Sequence, residues 1–107
     1  KNKRKLFKIY SKNFSQSQSF KIFKEPKNSR SNYWLQTIIL NKRSYSIRNK
    51  LIKSSNEKGF STRPAWKPLH KLKHLKNCPK MKLTVTEELE PRIINLPSSA
   101  YLATHKF

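Results

Sequence analysis

Residues 31–40, SNYWLQTIIL, form the longest uncharged, mostly apolar run in a chain otherwise crowded with lysine. Tyr33, Trp34, Thr37, Ile38 and Ile39 make the run aromatic and β-branched. At this length that composition favours a buried strand over a helix. A strand apolar on both sides must be covered on both. The remaining chain is therefore expected to pack over it, with this run as the central strand of a small sheet. Material for that packing is scarce: only 35% of the 107 residues are hydrophobic, enough for one small domain with a thin core.

The flanks supply partners for such a strand. Residues 1–14 place Leu6, Tyr10 and Phe14, with Phe7 beside them, on one face at helical spacing. Packing against a neighbour and binding a membrane or an acidic partner are both open to a basic amphipathic helix. Residues 15–19, SQSQS, read as a polar linker. Residues 20–23 alternate as an edge strand that Glu25-Pro26 stops. Residues 27–30 are the turn into the central strand, and so short a loop makes the two strands antiparallel.

Residues 41–44 form the exit turn. Residues 44–58 are predicted to be a helix capped by Ser44 or Ser46, with Ile47, Leu51 and Ile52 as its apolar stripe. Gly59, the only glycine, stands where a left-handed cap belongs. A short strand over 60–63 should end at Pro64, and a loop with one helical turn should fill 66–77. Thr84 and Glu87 match a capping box, Pro91 stops or kinks the helix that follows, and 93–96 make a last strand closed by Pro97. Residues 100–107 show no clear element. The expected class is α+β: a small antiparallel sheet with helices packed on one face. The expected division is 1–19, a basic helix and linker; 20–99, the domain proper; and 100–107, an irregular tail.

The charge narrows the partners. Lysine and arginine total 25 against 5 acidic residues, all glutamate, for a net +20. Such a field fits a polyanion, which makes a small basic nucleic-acid-binding protein of ribosomal type the alternative reading. It fits better a drift toward lysine with the charges solvated, because base and phosphate recognition leans on arginine forks as well as lysines. A lone cysteine, Cys78, suits a reducing compartment, and no run approaches membrane-span length. Cytoplasmic location follows as the expectation. The chain opens at Lys1 and its only methionine is Met81, so it is expected to be a piece of something longer. His70, His74 and Cys78 recur every four residues without a fourth metal ligand, and no metal is expected.

The densest chemistry lies in 62–70, TRPAWKPLH. Prolines stiffen a loop. Within it Arg63 can fork onto a diphosphate, Trp66 can stack on a flat ring or sugar, and His70 can donate or accept a hydrogen bond. The alternative is a structural corner with Trp66 as a core plug.

Taken together, SNYWLQTIILN, the helix opening at Arg48-Asn49, GFSTRPAWKPLHKL, KNCPKM and TEELEPRIINLPSS occur in an order and spacing that resembles the carboxy-terminal part of sugar aminotransferases of the DegT/DnrJ/EryC1/StrS family. Within that family the LegC-like branch, acting on UDP-linked amino-deoxy sugars, is the most similar. The resemblance runs over roughly 20–99 and is most specific in TRPAWKPLH and NCPKM. It implies the small domain of a pyridoxal-phosphate enzyme that moves an amino group from glutamate to a nucleotide-linked keto-sugar, in a homodimer with no membrane contact, for surface polysaccharide or glycan synthesis. It further implies that Asn32, Tyr33, Trp34, Arg63, Trp66 and His70 form part of the substrate wall. The family's Schiff-base lysine and pyridinium-pairing aspartate lie in another domain. This chain has no aspartate, so alone it is expected to bind no cofactor and to be inactive. Asn49 stands where the family has an acid, and Pro91 where it has a helix former.

Overall fold

The computed structural model describes residues 1–105. Four strands form one antiparallel sheet: β1 (Phe20–Ile22), β2 (Gln36–Leu40), β3 (Arg63–Pro64) and β4 (Ile93–Leu96), in the spatial order β1-β2-β4-β3. Three helices accompany them: α1 (Asn2–Asn13), α2 (Tyr45–Glu57) and α3 (Thr84–Leu89). The predicted α+β class with a small antiparallel sheet is the observed one. No helix among the described residues is long and apolar enough to cross a membrane.

Register sets the core. Phe20 faces Leu40, Ile22 faces Ile38, and Ile38 in turn faces Ile94. Cross-strand partners share a face, so these side chains line one side of the sheet. Phe14, just past the end of α1, and Ile52 from α2 pack on that same side. Gln36 lies there too, fully buried, donating from Nε2 to the Lys3 carbonyl of α1 at 3.1 Å. The helices therefore cover one face. The other carries Thr37, Ile39, Asn95 and Arg63 by the same alternation.

The apolar stripe of α1 is turned onto this chain's own sheet. Leu6 is buried, Tyr10 donates to the Pro97 carbonyl at 2.8 Å, and Phe14 stands edge-on to Phe20. A 3-10 turn at Ala100–Ala103 lies against α1 and buries Ala103. That corrects the reading of 100–107 as featureless for its first half; residues 106 and 107 lie outside the described residues.

Ser44 caps α2 as expected, its Oγ accepting from the Ile47 N–H at 3.2 Å, and Gly59 adopts φ +83° just beyond the helix. The stripe of α2 differs from the expected one. Ile47 and Leu51 are exposed, and Arg48, four residues before Ile52, takes the inward line.

Three further expectations are corrected. The central strand is five residues long, because Ser31 and Asn32 bond the following backbone and divert the chain before Gln36. Pro64 sits inside β3 and does not end it. β3 is an edge strand, where a missing N–H breaks no ladder. No side chain caps α3, which begins after Leu83; Glu87 turns to His70. Pro91 does end the α-helix, in a 3-10 turn at Glu90–Arg92.

Candidate functional site

The segment before β2 is shaped by a clamp. Arg4 of α1 donates from both terminal nitrogens to the two oxygens of Glu25, each at 2.8 Å, and again to the Ser31 carbonyl at 2.9 Å. The Ser31 N–H returns a bond to Glu25 at 2.5 Å. The Arg4 hydrogen bonds, and then that N–H, hold the Glu25 carboxyl down at about 2.

With Ser31 fixed, Tyr33 adopts φ 50° and points inward, 5% exposed. Its ring stacks on Phe7 at 4.2 Å, and its hydroxyl accepts from the Glu25 N–H at 3.2 Å. Neighbouring Trp34 is thereby thrown outward and is 59% exposed. Its N–H bonds the Asn32 side-chain oxygen at 3.1 Å, while Lys3 reaches its carbonyl at 3.3 Å.

The second half of the site hangs from the end of α2. Asn56 and Ser55 hold the buried Thr62: Asn56 Nδ2 donates to the Thr62 carbonyl at 3.1 Å, and the Ser55 and Thr62 hydroxyls lie 2.6 Å apart. Arg63 then donates from Nη1 to Asn56 Oδ1 and to the Thr62 carbonyl, both at 2.9 Å. One edge of its fork is anchored, and the residue stays exposed. Two residues beyond β3, Trp66 is 75% exposed and stacks on Trp34, ring centres 6.3 Å apart and planes at 23°. Trp66 is no core plug.

Arg63 and Trp66 share a hollow of about 580 Å³ with Leu35, Asn95, Pro97 and Ser98. Of the six residues singled out in the sequence, the fold gathers Arg63, Trp66 and Trp34, with Asn32 bracing Trp34. Tyr33 is placed behind them as packing. His70 stands elsewhere, 3.2 Å from Glu87, in a separate hollow with Leu75, Cys78 and Leu83. No metal-holding group of three His, Cys or acidic residues occurs among the described residues.

Sequence reasoning missed Asn95. It borders the hollow and accepts from the Thr37 hydroxyl at 2.9 Å. The signal was the alternation of Ile-Ile-Asn-Leu, which sets Asn95 opposite to buried Ile94.

Every carboxylate of the chain's five glutamates has a cationic or histidine partner. The most enclosed group is Glu90, held by Arg48 at 3.0 Å, by Lys71 at 3.2 Å and by the Tyr45 hydroxyl. Burial raises its carboxyl, but the hydrogen bonds from Tyr45, Arg48 and Lys71 outweigh that and leave it below the ordinary value.

Among solved structures the chain is similar to Helicobacter pylori PseC, an aminotransferase involved in the biosynthesis of pseudoaminic acid. The TM-score is 0.81 at 17% identity, over 94% of this chain and 28% of that one. At that identity the likeness is one of fold, and the chain spans about 28% of the PseC structure's length. Among curated proteins, none matches in sequence. The model of the DegT/DnrJ/EryC1/StrS aminotransferase family matches residues 1–107. Since that match runs over the whole chain and the fold agrees with it, this chain belongs to the DegT/DnrJ/EryC1/StrS aminotransferase family.

Proposed function

We propose that the chain is the substrate-side, carboxy-terminal small domain of a sugar aminotransferase, with α1 and the Ala100–Ala103 turn packed onto the unit formed by residues 20–99. The complete enzyme takes an amino group from glutamate and places it on a nucleotide-linked keto-sugar, as a cytoplasmic homodimer serving polysaccharide or glycan synthesis. One observation carries this reading: the stacked, exposed Trp34–Trp66 pair beside the anchored fork of Arg63. Aromatic faces suit a flat base or the apolar side of a sugar, and a fixed guanidinium suits a diphosphate. The LegC-like resemblance of TRPAWKPLH and NCPKM supports the UDP-linked substrate class.

Enzymes of this family use pyridoxal phosphate, which when bound supplies the electron sink for moving the amino group. The residues described here do not fit that group. There is no aspartate to pair with its ring nitrogen, and the five glutamates already hold partners. The chain by itself is therefore proposed to be inactive in amino transfer, contributing substrate contacts to a cofactor domain encoded upstream. Sequencing the upstream reading frame tests this directly: a lysine-bearing cofactor domain is expected there, and an unrelated protein would end the proposal. In the full-length enzyme, Arg63→Ala should raise KM for the nucleotide-sugar roughly tenfold to a hundredfold, the scale of a charge-assisted hydrogen bond. KM for glutamate should barely move. An equal rise in both would remove Arg63 from the nucleotide-sugar contact.

A further inference from the structure

We propose that the chain also carries a sequence-tolerant site for single-stranded nucleic acid, formed where a basic cleft on α1 meets the tryptophan pair. The cleft, about 920 Å³, is lined by Lys1, by Lys3, Arg4, Lys5 and Lys8 of α1, and by Arg30, Ser31 and Asn32. Arg4 is neutralised by Glu25, and Lys3 donates to the Trp34 and Ser98 carbonyls. Among the described residues Lys1, Lys5, Lys8 and Arg30 form no ion pair, although Arg30 lies near enough to Glu25 to help hold its carboxyl low.

The cleft does not stop at Asn32. Arg30 and Ser31 also border an adjoining hollow of about 350 Å³ lined further by Phe23, Leu35, Trp34 and Glu25, whose carboxylate is held by Arg4. Trp34 then passes directly onto Trp66. A cationic track thus opens onto stacked, solvent-facing rings.

That juxtaposition is the physics of single-strand binding: a basic groove follows the backbone, and aromatic faces take bases whatever their identity. Duplex DNA keeps its bases stacked inside, so only a single strand can use both parts. The preponderance of lysine over arginine fits the same class, since lysine neutralises phosphate as a point charge without reading base edges. Charge complementarity makes a polyanion the fitting occupant of the α1 cleft, which lies beyond the rings and Arg63. A diphosphate would neutralise only part of the cleft, in a chain whose net charge is +20. The site shares the Trp34–Trp66 rings with the nucleotide-sugar reading and adds the basic cleft on α1, so loss of strand binding would leave that reading standing.

The test is a fluorescence titration of the intact chain with oligo(dT) of about 15 nucleotides, within the span of known single-strand modules. The same titration is run with a duplex of that length and with UDP-N-acetylglucosamine. Oligo(dT) should quench tryptophan emission and bind more tightly than duplex. Four unpaired cations give a salt slope of about −3, so affinity should fall roughly fiftyfold from 50 to 200 mM salt. Trp66→Ala should weaken binding roughly tenfold to a hundredfold. Lys5→Glu with Lys8→Glu should about halve the slope, whereas Lys73→Glu with Lys76→Glu, outside the cleft, should leave it nearly unchanged. Circular dichroism confirms that each variant is folded. Equal affinity for duplex, indifference to Trp66→Ala, or equal effects from the two charge-reversed pairs would overturn the proposal by reducing it to diffuse charge. Complete displacement of oligo(dT) by UDP-N-acetylglucosamine, with no salt-dependent binding left on the cleft, would overturn it too.

Discussion

Replacing Glu90 with alanine should be among the most damaging single changes in this chain. The Arg48 side chain is 9% exposed and that of Glu90 12%. Losing the carboxylate strands a guanidinium that keeps only Asn49 Oδ1 and the residue-90 carbonyl as hydrogen-bond partners, with the Tyr45 ring 5.0 Å away. Breaking a buried pair this way costs about 3–5 kcal/mol, and the slight access to water at Glu90 argues for the lower end, about 3 kcal/mol. Lys71, more exposed, can turn to solvent. The reverse change, Arg48→Ala, leaves Glu90 with Lys71 and Tyr45 and should cost less, about 1–2 kcal/mol. Replacing both, as Arg48→Met with Glu90→Leu, should be close to neutral. Urea unfolding followed by circular dichroism reads all three. With slopes of about 1–3 kcal/mol per molar, Glu90→Ala should lower the midpoint by roughly 1 M or more. Glu57→Ala is the control for net charge, because its pair with Lys53 spans 3.9 Å on the surface, and it should cost under about 0.5 kcal/mol. A loss below about 1 kcal/mol for Glu90→Ala, or a larger loss for Arg48→Ala, would refute the reasoning.

Leu6→Ala should cost about 2–5 kcal/mol, because Leu6 is the fully buried residue of α1; a melting temperature within a degree of the parent would mean that α1 does not pack in solution. Gly59→Ala meets no atom within 4 Å but must hold φ +83°, so the loss should be about 1–2 kcal/mol from backbone alone. An unchanged urea midpoint would contradict it. Glu25 is held at about 2, below its ordinary 4.5, so its contribution is present above pH 4.5 and lost as pH falls toward 2. Glu25→Gln should flatten the fall in urea midpoint across that window, and an unaltered acid profile would rule the Arg4 clamp out.

How much was legible in the residues depended on range. Ser44, Gly59 and Pro91 act through their own backbone or a near neighbour's, and each did what its chemistry predicts. The strands over 20–22 and 93–96 and the antiparallel pairing followed from alternation and loop length. Asn95 was visible by the same alternation once its strand was paired. Tyr33 and Trp34 could not be told apart in the sequence, being adjacent aromatics in one apolar run. Their division into an inward and an outward ring comes from Arg4, Glu25 and Ser31, which meet only when α1 docks.

Sequence alone determined the α+β class, the helix boundaries near Ser44 and Gly59 and the family resemblance, because these rest on spacing, caps and turn chemistry that act within a few residues. The tertiary structure alone decided that Trp34 meets Trp66, that His70 turns away to Glu87, and that Arg48 displaces Ile47 and Leu51 from the inner line of α2. Those outcomes depend on which distant partner satisfies a buried charge or covers a ring, and spacing along the chain carries no record of that choice.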